Sequence, residues 1–247
     1  DQEAKIDDLL KGKNIIVKHI PMKKEPLTPF MGKATPEDTR NFKSRIGSIL
    51  HIANRTRPDI AASTGILARH TANPGPSHFE ALNHILGYLK YTKSKRLVID
   101  GTKDLKLKAF SDSDWAGELK DRKSTSGFML MLGNSLVAWH SRKQDCTSLS
   151  AAEAEYVAAS QCCKEIVWMK RLLRELGIKI GQVDLFSDNK SAIAYIKNPI
   201  DHARSKHIDL KYHHIRELWR QSIIDIFHIN GIVNPADIFT KPLLIKS

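Results

Sequence analysis

Two periodicities divide the chain. Between residues 35 and 96, apolar side chains recur every three or four positions, which predicts helices. The stretch "TPEDTRNFKSRIGSILHIAN" opens on Thr35 as an N-cap with Pro36 at the first helical position. Phe42, Ile46, Ile49, Leu50 and Ala53 follow on one face. "RPDIAASTGILARHT" restarts after Pro58, and "SHFEALNHILGYLKYT" carries Ser77 with Glu80 three residues on, the spacing of a capping box. Its Phe79, Leu82, Ile85, Leu86 and Leu89 share a face, so three packed helices are expected. Residues 1–34 are weakly patterned, with three prolines among lysines, and predict a short element and an extended connector.

Near residue 100 the period changes to two. Leu105, Leu107 and Ala109 alternate with Lys106, Lys108 and Phe110, which predicts a strand ending near Asp112. "GFMLMLGNSLVAWHS" is a pair of apolar runs around Gly133-Asn134, a hairpin signal. A long helix is expected from about 151 to 176, stopped by Gly177. "VDLFSD" reads as a strand, "NKSAIAYI" as a helix, "SKHIDLKYHHIRELWRQ" as a helix and "IIDIFHI" as a fifth strand. A last helix opens at Asn234 as N-cap with Pro235 behind it. The order β-β-β-α-β-α-α-β-α predicts an α/β fold, a mixed sheet with helices on its faces.

Composition narrows the setting. Net charge is +12 with pI near 9.6, which favours a polyanionic partner. No apolar run is long enough to span a bilayer. Cys146, Cys162 and Cys163 form no metal or disulfide pattern, which points to a reducing compartment. The N-terminus has neither an initiator Met nor a signal-peptide pattern and reads as part of something longer.

Four carboxylates fall at element ends in the second half: Asp112, Glu155, Asp188 and Asp237. Each has a plain structural explanation. Asp188 and Asp237 could serve as helix-start residues, and a strand-end Asp often forms a turn. Brought together beyond the strand ends, they would hold two divalent metals about 4 Å apart for phosphodiester hydrolysis. Asp114 is the second choice to Asp112. In "SLSAAEAEYVAAS", Ser150 as N-cap makes Glu153 a capping-box partner that bonds the Ser150 amide, and leaves Glu155 free to face the site. If Ser148 caps instead, Glu153 becomes the rival ligand.

These segments resemble the RNase H domain of copia-type LTR retrotransposon Pol polyproteins. "SDSDWAGELKDRKSTSGF", "AWHSRKQDCTSLSAAEAEY", "SDNKSAI", "RSKHIDLKYHHIRE" and "NPADIFTKPL" are similar to the family's motifs in the same order, over nearly all of 105–243. Residues 40–96 resemble the region after the polymerase palm, the thumb and connection. The resemblance implies an RNase H-like mixed five-stranded sheet flanked by helices over 101–247, preceded by a small helical thumb/connection remnant over 1–100. It implies a ribonuclease H that cuts the RNA strand of RNA–DNA hybrids during reverse transcription, with Asp112, Glu155, Asp188 and Asp237 holding two Mg²⁺ ions and Mn²⁺ as a substitute. The implied partners are the hybrid, the palm and fingers of the reverse transcriptase and other Pol products, with no membrane. The implied location is the virus-like particle of the cytoplasm, with the nucleus as a second compartment. Asp7-Asp8 does not resemble the palm's paired aspartates, so polymerase activity is not expected.

Candidate substrate contacts are Ser113, Asn189 and Lys190 beside the carboxylates, and Arg204, Lys206, His207 and Lys211 on a basic ridge. The basic loop 120–125 is another, and each of these has the simpler reading of a solvated polar face. His228 is expected to be structural, and Trp115, Trp139 and Trp219 to be core or scaffold. The alternative to an enzyme is a catalytically silent, nucleic-acid-binding remnant. A related nuclease acting on duplex DNA is a third reading.

Overall fold

The structure is a computed structural model of the 247-residue chain, described over residues 2–101, 105–118, 121–198 and 214–242. The chain divides into two compact units, one built on Asp1–Leu97 and the other on Val98–Thr240.

The first unit is helical. Helices α1 (Glu3–Leu10), α2 (Pro36–Arg55), α3 (Ala61–Ala68) and α4 (Pro76–Tyr91) are joined by connectors and one 3-10 turn, Pro58–Ile60. The Thr35 side chain accepts from the Asp38 amide and starts α2. Phe42, Ile46, Ile49 and Ile52 of α2 meet Leu82, Ile85, Leu86 and Leu89 of α4 in the core. The expected capping box at Ser77 and Glu80 does not form. Pro76 takes the first helical position, so Gly75 is the N-cap, and His78 closes the box by accepting from the Gly75 amide through Nδ1 at 2.8 Å. Glu80 is exposed and pairs with Lys23. Asp7 lies on the exposed face of α1, bonded to Lys93. Behind the 3-10 turn, buried Arg57 grips Asp59 through two bonds of 2.9 and 2.8 Å and also reaches the Thr92 carbonyl.

The second unit is the mixed five-stranded sheet expected from the alternating segments. β1 (Leu107–Asp114), β2 (Thr125–Leu132) and β3 (Ser135–Lys143) form an antiparallel meander. Then come α5 (Ala151–Glu175), β4 (Val183–Ser187), α6 (Lys190–Lys197), a helical stretch at 214–220 and β5 (Ile224–His228). β4 pairs parallel to β1 and β5 parallel to β4, so the strand order is β3-β2-β1-β4-β5. α5 lays Tyr156, Ala159, Cys162, Cys163 and Ile166 onto Leu107, Ala109, Leu130, Val183 and Leu185. Burial raises the thiol pKa of Cys163 to about 12, so this cysteine packs as a small apolar side chain. Gly177, at φ +80, ends the helix in the left-handed region that glycine tolerates.

The chain end differs from expectation. Asn234 and Pro235 do open an element, with the Asn234 side chain accepting from the Ala236 amide. It is a five-residue 3-10 helix, Pro235–Phe239, rather than an α-helix. Its close approach to the sheet requires Gly127, where a Cβ would lie 2.7 Å from Phe239 Cβ. Trp115 is not core: it is about half exposed, with its indole donating to the Ser148 carbonyl at 3.2 Å. Trp219 is partly buried against the core and donates to Asp225. His228 ends β5 and is exposed.

Candidate active site

Strand register brings the first two carboxylates level. Phe110 of β1 pairs with Phe186 of β4 in parallel. Asp112 and Asp188 each lie two residues beyond that pair, toward the strand ends where α/β sheets open their crevice. Asp188 is just past the end of β4, and Asp112 is still inside β1, which runs on to Asp114 rather than ending near Asp112. Glu155 comes from the head of α5, which packs on β1. Oxygen atoms of Asp112, Glu155 and Asp188 all lie within 4.8 Å of one another. Asp112 and Glu155 are buried, at 4% and 5% exposure, and Asp188 is half-buried.

The head of α5 separates the two glutamates. Ser150 is the N-cap, and its hydroxyl accepts from the Glu153 amide. The Glu153 carboxylate reaches back to the Leu149 amide at 2.8 Å, one residue beyond the expected Ser150 amide. Ser148 does not cap. It is buried and donates to Gln144, which in turn donates to Ser126 and to the Ala154 carbonyl. Glu155, two residues beyond Glu153, therefore points inward.

Each clustered carboxylate is oriented by a neighbour. Glu155 Oε1 accepts two bonds of 2.8 Å, from the Ser113 amide and the Ser113 hydroxyl. Glu155 Oε2 is buried with no partner among the described residues. The Thr240 hydroxyl donates to Asp112 Oδ2, and Asn234 donates to the Ser111 carbonyl at 3.0 Å, so two residues clasp the 3-10 helix to β1. At Asp188 the helix start is capped by Asn189, whose side chain accepts from the Ala192 amide at 2.9 Å. The Asp188 carboxylate is thereby released from that duty. The loop after β5 reaches Asp188 at Gly231, where a Cβ would sit 2.7 Å from Asp188 Oδ2.

Electrostatics follow from this crowding. The pKa of Glu155 is pushed up to about 8, chiefly by burial and then by the Asp112 and Asp188 charges, while the Ser113 bonds pull it down. An all-oxygen donor set with a buried, unpaired carboxylate oxygen and mutual repulsion fits a hard divalent cation, whose charge would relieve both.

The other expected residues fall as follows. Asp237 is in the 3-10 helix, half-buried, and is outside the set whose oxygens lie within 4.8 Å. Asp114 is also outside that set, and its carboxylate fills the space a side chain at Gly117 would need. Ser113 serves Glu155, Asn189 caps α6, and Lys190 is exposed beside them. Arg204, Lys206, His207 and Lys211 lie outside the described residues. In the basic loop, Lys123 donates to the Asp145 carbonyl, and Asp121 pairs with Lys143. Sequence reasoning missed Thr240. Its bond to Asp112 spans 128 residues, and no local pattern signals it.

No protein-family model matches the chain. Among curated proteins it is similar to the retrovirus-related Pol polyprotein from transposon TNT 1-94 of Nicotiana tabacum. The two are 40% identical over 200 residues, covering 81% of this chain and 15% of that protein. It is also similar to the retrovirus-related Pol polyprotein from transposon RE1 of Arabidopsis thaliana, 33% identical over 246 residues, or 98% of this chain and 17% of that protein. The chain thus spans about a sixth of the length of these relatives. Among solved structures, a foamy viral protease-reverse transcriptase in complex with double-stranded DNA matches with a TM-score of 0.50. That match has 11% identity and covers 92% of this chain and 34% of that one, a likeness of fold.

Proposed function

We propose, from the premise that this chain belongs to the copia-type retrotransposon Pol polyproteins, that its RNase H-like unit is an active ribonuclease H. It would hydrolyse the RNA strand of an RNA–DNA hybrid. The observation that supports this reading most is the cluster of Asp112, Glu155 and Asp188 with one buried carboxylate oxygen left unpaired. Asp112, Glu155 and Asp188 would hold Mg²⁺, with Mn²⁺ as a substitute and Asp237 as a fourth ligand for a second ion. When bound, such ions supply charge neutralisation and an activated water for in-line phosphodiester hydrolysis.

The chain's own residues account for the rest of the site. Ser113 fixes Glu155 through two bonds to one oxygen and leaves the other oxygen available. Thr240 fixes Asp112 through its hydroxyl. Asn189 takes over helix capping from Asp188. Positions are therefore held before substrate arrives, which is where most of an electrostatic site's effect originates. Ser113, Asn189 and Lys190, with the basic ridge of Arg204, Lys206, His207 and Lys211, would meet the hybrid, sensing phosphates and 2′-hydroxyls. The Asp1–Leu97 unit would be the thumb/connection, and the palm and fingers and other Pol products would be partners in a virus-like particle. No helix among the described residues is long and apolar enough to cross a membrane.

The test is cleavage of a labelled RNA–DNA hybrid by the full chain, with and without Mg²⁺, beside Asp112→Asn and Asp188→Asn. Cleavage that needs Mg²⁺ and disappears in both variants is expected. Hybrid binding without cleavage by the unaltered chain would favour the silent remnant, and cleavage surviving in both variants would overturn the site.

A further inference from the structure

A second concave surface lies at the far end of the sheet unit, away from the carboxylates. Val167, Lys170, Arg171 and Arg174 of α5, with Ile178, Lys179 and Ile180 of the following loop and Ile223 before β5, line a cleft of about 480 Å³. That volume falls within the usual range of ligand pockets, roughly 300–1,000 Å³. Val167 is about 18 Å further along the α5 axis than Glu155, at 1.5 Å per residue. The loop and Ile223 sit at the starts of β4 and β5, whereas Asp112 lies in the C-terminal half of β1 and Asp188 just beyond the end of β4. A duplex seated on the carboxylates would therefore lie toward the other end of the sheet unit.

The walls are preformed. The Ile178 amide donates to the Leu173 carbonyl at 2.8 Å and the Gly177 amide to the Arg174 carbonyl at 3.0 Å, which folds the loop back on the helix. Lys170 Nζ donates to the Gly181 carbonyl at 2.6 Å and tethers the loop's far end. The floor is aliphatic, the rim carries four cations, and no carboxylate lines it among the described residues. Arg171, Arg174 and Lys179 are exposed.

We propose that this cleft docks an acidic protein segment that presents aliphatic side chains to Val167, Ile178, Ile180 and Ile223 and carboxylates to Lys170, Arg171, Arg174 and Lys179. Charge complementarity sets the sign of the partner. The aliphatic floor selects among polyanions. A nucleic acid would stack bases on aromatic rings, and none lines the cleft. A lipid surface is met by projecting apolar side chains on a helix face, not by a recess. An amphipathic peptide seated in a groove satisfies both halves of the surface.

The experiment titrates the full, ¹⁵N-labelled chain with a 12-residue peptide of glutamates with leucines at helical spacing. The comparison probes are the same peptide with serine for leucine, oligo(dT), and phosphatidylserine vesicles. The acidic leucine peptide should saturate and shift the amides of residues 176–181. An Arg171→Gln, Arg174→Gln double variant should bind it at least tenfold more weakly, and Ile180→Asp likewise, with hybrid cleavage unchanged in both. Absence of saturable binding would overturn the proposal. So would equal binding by the serine peptide, undiminished binding by the double variant, or shifts at these amides produced by oligo(dT) or vesicles instead.

Discussion

Replacing Glu155 by Gln in metal-free protein should stabilise it at alkaline pH and leave it unchanged in acid. The native pKa of Glu155 is raised from 4.5 to about 8 by burial and by the neighbouring Asp112 and Asp188 charges. The native state therefore prefers the protonated carboxyl. Below pH 4.5 the carboxyl is protonated in both states and its stabilising contribution is complete. As pH rises toward 8, the unfolded chain gives up this proton and the native chain keeps it, so stability falls by about 1.4 kcal/mol per pH unit. Across the window the loss is roughly 5 kcal/mol, a large share of the 5–15 kcal/mol typical of a domain. The substituted glutamine stays neutral and can still accept both Ser113 bonds through its amide oxygen. The assay is thermal unfolding in EDTA from pH 4.5 to 8.5. The variant's advantage should open from nothing to about 10–20 °C, at 2–4 °C per kcal/mol. Adding Mg²⁺ at pH 8 should then raise the melting point of the unaltered chain more than that of the variant, because the ion binds the ionised cluster. A melting difference that stays constant across this pH range, or equal stabilisation of both proteins by Mg²⁺, would refute the electrostatic account.

On the proposed reading, Thr240→Val, which removes the hydroxyl that donates to Asp112, should lower hybrid cleavage about 10- to 100-fold, the loss typical of groups that orient a metal ligand. Thr240→Ser should retain most activity in the same cleavage assay, because it keeps the donor. Gly127→Ala puts a Cβ 2.7 Å from Phe239 Cβ and 2.8 Å from Thr240 Cγ2, and should cost about 1–3 kcal/mol in urea unfolding while displacing the same clasp. Arg57→Ala removes the buried partner of the half-buried Asp59 in the helical unit and should cost about 1.5–3 kcal/mol in urea unfolding, with hybrid cleavage measured at zero urea as the control for the sheet unit.

These expectations rest on residues that differ in how far they could be read along the chain. The succession of strands and helices and the starts of α2 and α5 were legible because their causes are local. Alternation marks β1, Gly133-Asn134 closes the β2–β3 hairpin, Thr35 and Ser150 cap α2 and α5, and Gly177 stops α5. The Ser150-x-x-Glu153 spacing likewise separates a cap from an inward-facing Glu155. Where competing local rules met, the covalent one won. Pro76 cannot donate an amide and suits the first turn, so it moved the start of α4 to Gly75 and passed the capping role to His78, a residue no capping preference names. The 3-10 helix at the chain end reflects tertiary docking: Asn234 and Thr240 bond to β1, and Phe239 fills the space left by Gly127. Neither contact has a sequence period. Thr240 is the extreme case, since a threonine in "IFTKPL" carries no mark of its task until β1 is folded beside it. The carboxylates themselves can be found from element ends, but the groups that hold them come from distant parts of the chain: Ser113 lies 42 residues from Glu155 and Thr240 lies 128 from Asp112. A variant scan confined to Asp and Glu would therefore miss the residues that set the cluster's geometry. Thr240→Val and Gly127→Ala, which alter no charge, are the substitutions that separate a positioned site from a mere coincidence of acids.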